Sequence, residues 1–376
     1  MPSYSGVWTL QAQMQAVAAG TWTGVPQLFA WGTNGNGQLG LNDTANRSSP
    51  VQVGALAGWY QIAGGNNFSL AIKTNGTLWG WGLNSNGQLG LGNDVDRSSP
   101  VQVGALTTWY QISGGSGFSL AVKNDGTIWS WGGSFAGQLG LGDVTKRSSP
   151  VQVGALTTWS QVAAGGAHSL AIKTDGTMWS WGQNSYGQLG LNNTTYFSSP
   201  VQIGALTTWS QVVVGGGFTL AVKNDGTLWS WGNNAQGQLG LNDIVYRSSP
   251  VQIGALTTWS RISGGQRHSL AVKTDGTLWS WGDNTSGRLG LNDTANRSSP
   301  VQIGALTAWS QIAGGSNLSL AIKTDSTLWV WGANGSGELG LNDAVNRSSP
   351  VQVGLLTTWL TLPKMPLAAH SLAIKG

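Results

Sequence analysis

The stretch GNGQLG at residues 35–40 has the G-x-G-x-x-G spacing with which many enzymes hold a dinucleotide pyrophosphate. Such a loop occurs once in a nucleotide-binding domain, opens a helix and precedes an acidic residue about 20 positions on. Here Gly37 and Gly40 recur every 50 residues, whereas only Gly35 and Gly335 supply the first glycine. We therefore interpret the recurring glycines as turn residues with positive φ or with close backbone contacts, and predict no dinucleotide site.

The three histidines are further candidates for a ligand or a base. His168, His268 and His370 each stand directly before Ser-Leu-Ala, where other copies of the segment have Phe or Leu. Residues at equivalent positions of different repeats can form one site only if that site lies on a common axis. The Phe and Leu residues at the same position of the other repeats indicate a buried position instead. The sequence therefore predicts that the histidines belong to the core.

The carboxylates show no arrangement suited to acid–base or metal chemistry. Asp125 and its copies precede glycine in turns, which accounts for the residue type. Asp94 and Asp96 lack the spaced oxygen ligands of a calcium loop. The chain has no cysteine, which excludes thiolate nucleophiles, thiolate metal sites and disulfides. We predict no catalytic residue, no cofactor and no metal, and hence a protein that is not an enzyme.

Composition places the chain among globular proteins and restricts its partners. Of 376 residues, 40% are hydrophobic, enough for a core, and only 9% are charged. The formal net charge of +4 is dispersed without a basic run, so no nucleic-acid partner is expected. The N-terminus lacks the basic and apolar regions of a secretory signal. No apolar run is long enough to span a bilayer, so we expect no membrane insertion.

The sequence repeats with a period of 50 residues, and the secondary structure that positions these residues must therefore repeat as well. The pair Trp-Gly occurs seven times, at Trp31, Trp81, Trp131, Trp181, Trp231, Trp281 and Trp331. Each repeat contains four segments with the period-2 alternation of strands, exemplified by PVQVGAL, WYQIAGG, FSLAIK and TLWGWG. An Asn-Gly or Asp-Gly pair joins the last two segments, which is a strong hairpin signal.

Seven repeats of four antiparallel strands predict an all-β, seven-bladed β-propeller with four-stranded blades. Residues 26–32 match the last strand of a repeat but have no strands before them. Residues 369–376 match the third segment and end there. We therefore predict a closing blade shared by the N- and C-termini, which leaves no open sheet edge in the ring.

The repeated motif G-x-x-H/F-S-L-A-x-K-x-D-G-T-L-W-S-W-G-x-N-x-x-G-Q-L-G-L-G resembles the repeat of the regulator of chromosome condensation family. The resemblance covers residues 27–376 and implies a seven-bladed propeller with a split closing blade. Members of that family act as docking surfaces, and a founding member exchanges nucleotide on a small GTPase and binds nucleosomes. This chain lacks a basic tail for such binding and has a single glutamate, Glu338.

Residues 1–26 are predicted to form a separate anchor or brace segment beside the propeller domain of residues 27–376. A helix is expected from about Leu10 to Ala19, with Thr9 as the N-cap and Gly20 at the end. The segment GVWTLQAQMQAVAAGTW resembles N-terminal segments of bacteriophage virion proteins, including tail and fibre components. The predicted anchor residues are Trp8, Leu10, Met14, Val17 and Trp22.

The positions that vary between repeats are the predicted binding surface, because loops on a fixed scaffold can change without loss of the fold. The first candidate patch consists of aromatic residues on otherwise small polar loops: Phe135, Tyr186, Tyr196, Phe197 and Tyr246. The second consists of charged residues of the sixth repeat: Arg261, Arg267, Asp283 and Arg288. An arginine precedes Ser-Ser-Pro in most repeats, as Arg47 does, and is predicted to form hydrogen bonds between blades.

Three functions are compatible with these features. The preferred one is a non-enzymatic virion component of a bacteriophage, a tail, fibre or surface protein that contacts other virion proteins or a host protein or glycan. The second is a cytoplasmic docking adaptor of the regulator of chromosome condensation type, acting on a protein such as a small GTPase. The third is a hydrolase or lyase with a site on the propeller axis.

Overall fold

The computed structural model describes residues 25–376 and contains seven four-stranded antiparallel sheets. The first strands of the described region are β1 (Gln27–Gly32) and β2 (Arg47–Ala57). Blade I follows with β3 (Trp59–Gly65), β4 (Phe68–Lys73), β5 (Leu78–Gly82) and β6 (Arg97–Gln102). Blade II contains β7 (Trp109–Gly114), β8 (Phe118–Lys123), β9 (Ile128–Gly132) and β10 (Arg147–Gln152). Blade III contains β11 (Trp159–Ala164), β12 (His168–Lys173), β13 (Met178–Gly182) and β14 (Phe197–Gln202).

The remaining blades repeat the same order. Blade IV contains β15 (Trp209–Val214), β16 (Phe218–Lys223), β17 (Leu228–Gly232) and β18 (Arg247–Gln252). Blade V contains β19 (Trp259–Gly264), β20 (His268–Lys273), β21 (Leu278–Gly282) and β22 (Arg297–Gln302). Blade VI contains β23 (Trp309–Gly314), β24 (Leu318–Lys323), β25 (Leu328–Gly332) and β26 (Arg347–Gln352). The chain ends with β27 (Trp359–Thr361) and β28 (His370–Lys375).

The two ends of the chain form the closing blade, whose strand order is β2-β1-β28-β27. Strand β1 pairs with β28 over its whole length, from Gln27 opposite Lys375 to Gly32 opposite His370. The predicted all-β propeller with a shared closing blade is therefore confirmed. Among residues 25–376 there is no helix with the length and hydropathy of a bilayer crossing.

The core lies between neighbouring blades. One cluster joins Leu70 and Ile72 of blade I to Trp109, Ile112 and Trp131 of blade II, all almost completely buried. The indoles of Trp109 and Trp131 meet edge to face, with centroids 6.0 Å apart. Because each blade supplies one wall of two clusters, the blades are stable only as neighbours in the ring.

Two sequence-based expectations differ from the structure or lie outside it. The segment PVQVGAL, predicted as a strand, lies within β2 (Arg47–Ala57) in its first copy, whereas the equivalent strands of blades I to VI begin at the residue before Ser-Ser-Pro and end at the glutamine, as in Arg97–Gln102. The predicted helix at about Leu10 to Ala19, with Thr9 and Gly20 at its ends, lies outside the described residues.

Candidate functional site

The glycines of the GQLG segment hold neighbouring blades together. Gly37 and Gly40 have φ of 76° and 74°. A Cβ on Gly37 would lie 2.6 Å from the Cα of Ser98, and one on Gly40 would lie 2.8 Å from the indole nitrogen of Trp81. Between them, the carbonyl of Gln38 accepts hydrogen bonds from Trp81 Nε1 and Ser69 Oγ of blade I, at 2.9 and 2.8 Å. Positive φ and close backbone contact thus account for the motif.

Each GQLG segment belongs to a long connection between the third and the outer strand of its blade, residues 33–46 in the first copy. We call the end of the propeller that carries these connections the loop face; the short turns between the inner and the second strand, such as residues 66–67, lie there too. The opposite end, which we call the turn face, carries the hairpins at residues 74–77 and their copies.

Two tyrosines of the predicted aromatic patch meet on the loop face. The rings of Tyr186 from blade III and Tyr246 from blade IV pack edge to face, with centroids 5.4 Å apart and an interplanar angle of 87°. Their equivalents between blades IV and V are Gln236 and Asn296, whose side-chain amides form a 2.7 Å hydrogen bond. The same structural contact is therefore aromatic at one blade boundary and polar at the next.

The remaining aromatic residues lie on the same face at neighbouring blades. Phe135 of blade II is 73% exposed, and Tyr196 of blade III is half exposed with its hydroxyl 3.5 Å from Gln183 Nε2. Phe197 is partly buried and opens β14, opposite Gly182. Sequence reasoning missed Ile244 and Val245, which are 64% and 58% exposed beside Tyr246. Their signal was available, because none of the other repeats has two large aliphatic residues at these positions.

The tyrosine pair borders a cavity of about 480 Å³ at the loop-face end of the propeller axis. Its walls come from the turns of several blades and include Gln236, Gln266 and Arg267. Arg267 is exposed and is the only charged residue among the described residues that line the cavity, so the cavity has a positive rim. The structure therefore brings one charged candidate, Arg267, together with two aromatic candidates, Tyr186 and Tyr246.

The other charged candidates do not join this surface. Asp283 and Arg288 are both 4% exposed and form an ion pair, with Arg288 Nη1 3.2 Å from Asp283 Oδ2. Thr285 N and Oγ1 also donate hydrogen bonds to Asp283 Oδ1. Burial alone would raise the pKa of the Asp283 carboxyl, but these hydrogen bonds and the charge of Arg288 outweigh it and hold the pKa below its usual value. Arg261 lies on the inner strand β19 and lines a second axial cavity.

The histidines are fully buried between blades and do not converge. His268 Nε2 lies 2.8 Å from Ser319 Oγ of blade VI, and His370 Nε2 lies 2.8 Å from Ser69 Oγ of blade I. Burial lowers the pKa of His168 and of His370 to about 4. These rings are neutral packing groups near pH 7, as the apolar counterparts in other repeats indicate.

The turn aspartates and the arginines before Ser-Ser-Pro have local partners. Asp125 Oδ1 accepts from Thr127 N and Oγ1, at 3.0 and 2.6 Å, which is turn chemistry. Arg47 pairs with Asp43 and donates to Ala45 O within its own loop. The predicted ring of blade-to-blade arginine hydrogen bonds is therefore wrong, because the arginines bond within their own loops, to an aspartate four residues earlier or, for Arg97, to the carbonyl of Asp96.

Among residues 25–376 no three His, Cys, Asp or Glu side chains are grouped as metal ligands would be. Asp94 pairs with Lys146 at 2.6 Å, and Asp96 accepts a hydrogen bond from Asn84 N. The predicted anchor residues Trp8, Leu10, Met14, Val17 and Trp22 lie outside the described residues.

Comparison with known proteins identifies the relatives of this architecture. The family model described as "RCC1-like domain" matches residues 107–365. The model of the regulator of chromosome condensation (RCC1) repeat matches residues 27–72 and 75–122.

Solved structures share the whole fold at low identity. Human WBSCR16 is 23% identical, with a TM-score of 0.84 over 94% of this chain and 99% of that one. Prp20p from Saccharomyces cerevisiae, described with its binding to Gsp1p and histones, is 21% identical, with a TM-score of 0.83 over 93% and 91%. Yeast RCC1 (Prp20) bound to Kap60 is 20% identical, with a TM-score of 0.82 over 94% and 88%.

Proposed function

The chain belongs to the RCC1-like propeller family, and from that premise we propose that it is a non-enzymatic docking protein that binds a protein partner through its loop face. This choice favours the adaptor function over the virion component. Catalysis on the axis is not part of the proposal, since the three histidines are buried apart from one another and serve packing.

The observation that carries the proposal is the aromatic surface across blades II to IV. Tyr186 and Tyr246 pack on each other while keeping 38% and 46% of their surface exposed. Tyrosine supplies a large contact area at a small entropic cost, and it is enriched where proteins bind one another. A paired arrangement reduces that cost further, because each ring already limits the rotamers of the other.

The surroundings of the tyrosines indicate the chemistry of the partner. Ile244 and Val245 add exposed apolar area on one side, and Arg267 adds a positive charge on the axial side. Such a surface suits a protein segment that presents apolar side chains next to a carboxylate, with hydrogen bonds to the polar walls of the cavity.

Prp20p, described with its binding to Gsp1p and histones, shows that this fold serves protein docking in a structural relative. At 21% identity the likeness concerns the fold, so we propose a protein partner for this chain without transferring those partners. A docking protein that acts on a small GTPase is a more specific version of the same proposal.

The virion setting is a separate prediction. It depends on residues 1–26, most of which lie outside the described structure, and the relatives named above give it no support. Gradient sedimentation of the native protein from its source tests it directly. Co-migration with a large particle would support the virion component, whereas migration as a small species would contradict it unless the protein had detached.

The docking function is tested with substitutions that the repeats themselves provide. In the double variant Tyr186→Ser/Tyr246→Asn, each tyrosine receives a residue that another repeat has at the same position, as in Ser286 and Asn346. The control is Tyr60→Ser/Tyr110→Ser on the turn face, where both tyrosines are 51% exposed and blade III has Ser160.

Both variants should fold like the native protein. Tagged proteins are expressed in the source cells, and co-purifying proteins are quantified by mass spectrometry. Truncating a central aromatic anchor typically costs 2 kcal/mol or more of binding free energy, which corresponds to an affinity about thirtyfold weaker. We therefore expect a partner whose recovery falls on the order of tenfold with Tyr186→Ser/Tyr246→Asn. Its recovery should stay unchanged with Tyr60→Ser/Tyr110→Ser. Equal recovery with both variants would contradict docking at the tyrosine pair.

A further inference from the structure

The inner strand of the closing blade differs from those of the other blades. Strand β27 ends at Thr361, and the segment Leu362-Pro363-Lys364-Met365-Pro366-Leu367 follows before β28 begins at His370. Pro363 and Pro366 cannot donate to a sheet ladder, which explains why the strand is short. We call residues 362–367 the axial segment.

The axial segment reaches into the centre of the ring. The carbonyl of Lys364 accepts a 3.0 Å hydrogen bond from Gly64 N of the neighbouring blade I. The Nζ atom of the same residue lies 3.4 Å from the carbonyl of Val162 in blade III. Since blade III lies on the far side of the ring from the closing blade, the Lys364 side chain crosses the axis.

Lys364 shares a cavity of about 270 Å³ with Arg261. Inner strands of blades II to VI and the axial segment line the cavity, with Val212, Ile262 and Met365 among its apolar walls. Both cations face the cavity, and the described residues that line it include no carboxylate. Burial lowers the pKa of Lys364 to about 8, so the ammonium is mostly charged at neutral pH although it is poorly solvated.

Arg261 replaces a glutamine that has a structural role elsewhere. At the same inner-strand position, Gln211 Nε2 donates to Ser260 O and Gln311 Nε2 donates to Leu360 O of the next blade, both at 2.6 Å. Among the described residues, Arg261 has neither such a hydrogen bond nor a carboxylate within ion-pair distance, and it is exposed in the cavity. The substitution therefore exchanges a blade contact for a charge on the axis.

No side-chain carboxylate of the chain serves as a counter-ion for these cations. The 14 acidic residues are all within residues 43–343, so none precedes the described region. They lie in the loops and hairpins, where Asp43 pairs with Arg47, Asp125 bonds Thr127 and Asp283 pairs with Arg288. The Lys364 ammonium is partly withdrawn from water without a counter-ion, which is unfavourable, and the exposed Arg261 adds a second positive charge to the same cavity, so the cavity favours an anion from outside.

Two hydroxyl groups complete the donor set. Ser113 Oγ and Ser263 Oγ line the cavity and accept hydrogen bonds from Ala164 N and Gly314 N, at 3.0 and 2.9 Å. Each hydroxyl therefore keeps its own proton to donate. We propose that the axial cavity between Arg261 and Lys364 binds one small anion through carboxylate or phosphate oxygens. The site lies on the axial side of the inner strands, apart from the tyrosine pair.

The test uses isothermal titration of the full chain with inorganic phosphate and, separately, with malonate, at constant ionic strength set by chloride. We expect one site per chain for at least one of these probes. Arg261→Gln restores the glutamine of the other blades and should weaken binding on the order of tenfold or more, because hydrogen bonds to charged groups contribute about 1.5–3 kcal/mol. Lys364→Gln should have a similar effect.

The matched control is Lys146→Gln, which removes an exposed cation from a loop outside both axial cavities and should leave the affinity unchanged. Binding should also weaken above about pH 8 in the native protein, as Lys364 loses its proton, and this pH dependence should disappear in Lys364→Gln. If Lys364→Gln does not fold, the affinity of Arg261→Gln alone tests the proposal. The proposal is overturned if neither probe binds, or if Arg261→Gln binds as tightly as the native chain. Since no tyrosine changes, these outcomes are independent of the docking test.

Discussion

At the scale of single residues, the Asp283–Arg288 pair shows how one repeat can substitute a charged contact for a neutral one. Blade IV has Asn233 and Gln238 at the same positions, with Gln238 Nε2 donating to Asn233 Oδ1 at 3.0 Å. In blade V the ion pair is buried instead, and burial lowers the pKa of Arg288. Removing one partner would leave an uncompensated charge in the blade.

The predicted effect of Asp283→Asn is a loss of about 3–5 kcal/mol of unfolding free energy, typical of breaking a buried ion pair. The double variant Asp283→Asn/Arg288→Gln recreates the neutral pair of blade IV and should recover native stability to within about 1 kcal/mol. Chemical denaturation of the native protein, Asp283→Asn, Arg288→Gln and the double variant measures both values. A double variant as unstable as the single one would contradict this account of the contact.

Buried histidines make the stability of the protein depend on pH. The unfolded chain takes up a proton on His168 near pH 6.5, whereas the folded protein does so only near pH 4, because burial lowers the pKa. The contribution of neutral His168 to the free energy of unfolding is therefore fully present above pH 6.5 and decreases as the pH falls below that value. At pH 5 the loss is about 2 kcal/mol for such a histidine.

His168→Phe should therefore reduce the loss of stability on acidification. Phe118 and Phe218 show that the position accepts phenylalanine, and within residues 25–376 neither ring nitrogen of His168 has a partner in good hydrogen-bond geometry. We expect a higher Tm than the native protein at pH 5 and a similar Tm at pH 8. The same shift in Tm at both pH values would mean that packing, rather than protonation, explains the difference.

At the scale of elements, the long connection between the third and outer strands combines two tasks. Its GQLG segment fixes the neighbouring blade through the Gln38 carbonyl, while the positions around it vary and carry the exposed aromatic residues. A rigid part and a variable part in one loop explain how the ring stays regular while one arc of its surface changes.

Gly40→Ala should cost about 2–4 kcal/mol, since the added Cβ would lie 2.8 Å from Trp81 Nε1 and the residue has positive φ. The matched control is Gly35→Ala in the same loop, where a Cβ would meet nothing within 4 Å. Its effect should stay within about 0.5 kcal/mol. Thermal and chemical denaturation compare the two, and equal losses would contradict the assigned role of the recurring glycines.

Strand types and turns could be predicted from the sequence because every repeat carries the same period-2 pattern and the same turn residues. The start of the outer strand could not be predicted, since Ser-Ser-Pro has low strand propensity and its pairing depends on the neighbouring strand, as with β5 in blade I. The partner of Arg47 was missed for a different reason. Its choice of Asp43 depends on the loop conformation, which the sequence pattern does not specify.

At the scale of the whole molecule, ring closure could be predicted because the incomplete repeats at the two ends complement each other. The position of the axial segment, residues 362–367, could not be predicted, because its sequence departs from the repeat and its placement depends on the completed ring. The same holds for the site residues. Tyr186 and Tyr246 are 60 positions apart in the chain, and only the packing of blade III on blade IV brings them together.

The completed ring separates two axial environments. The loop-face cavity has aromatic and polar walls with one exposed arginine, whereas the cavity at the axial segment contains two cations and apolar walls. The axial segment contributes to both, through Leu367 on one side and Lys364 on the other. A partner on the loop face and a small anion on the axis could therefore bind at the same time.

The central claim is that a protein partner docks on the tyrosine pair. The most direct measurement places a photo-crosslinking amino acid at position 246 in the source cells, with a second protein carrying it at position 110 on the turn face. We predict a discrete adduct of higher mass from position 246 and none of that mass from position 110. No adduct at position 246, or the same adduct from both positions, would contradict docking at this surface.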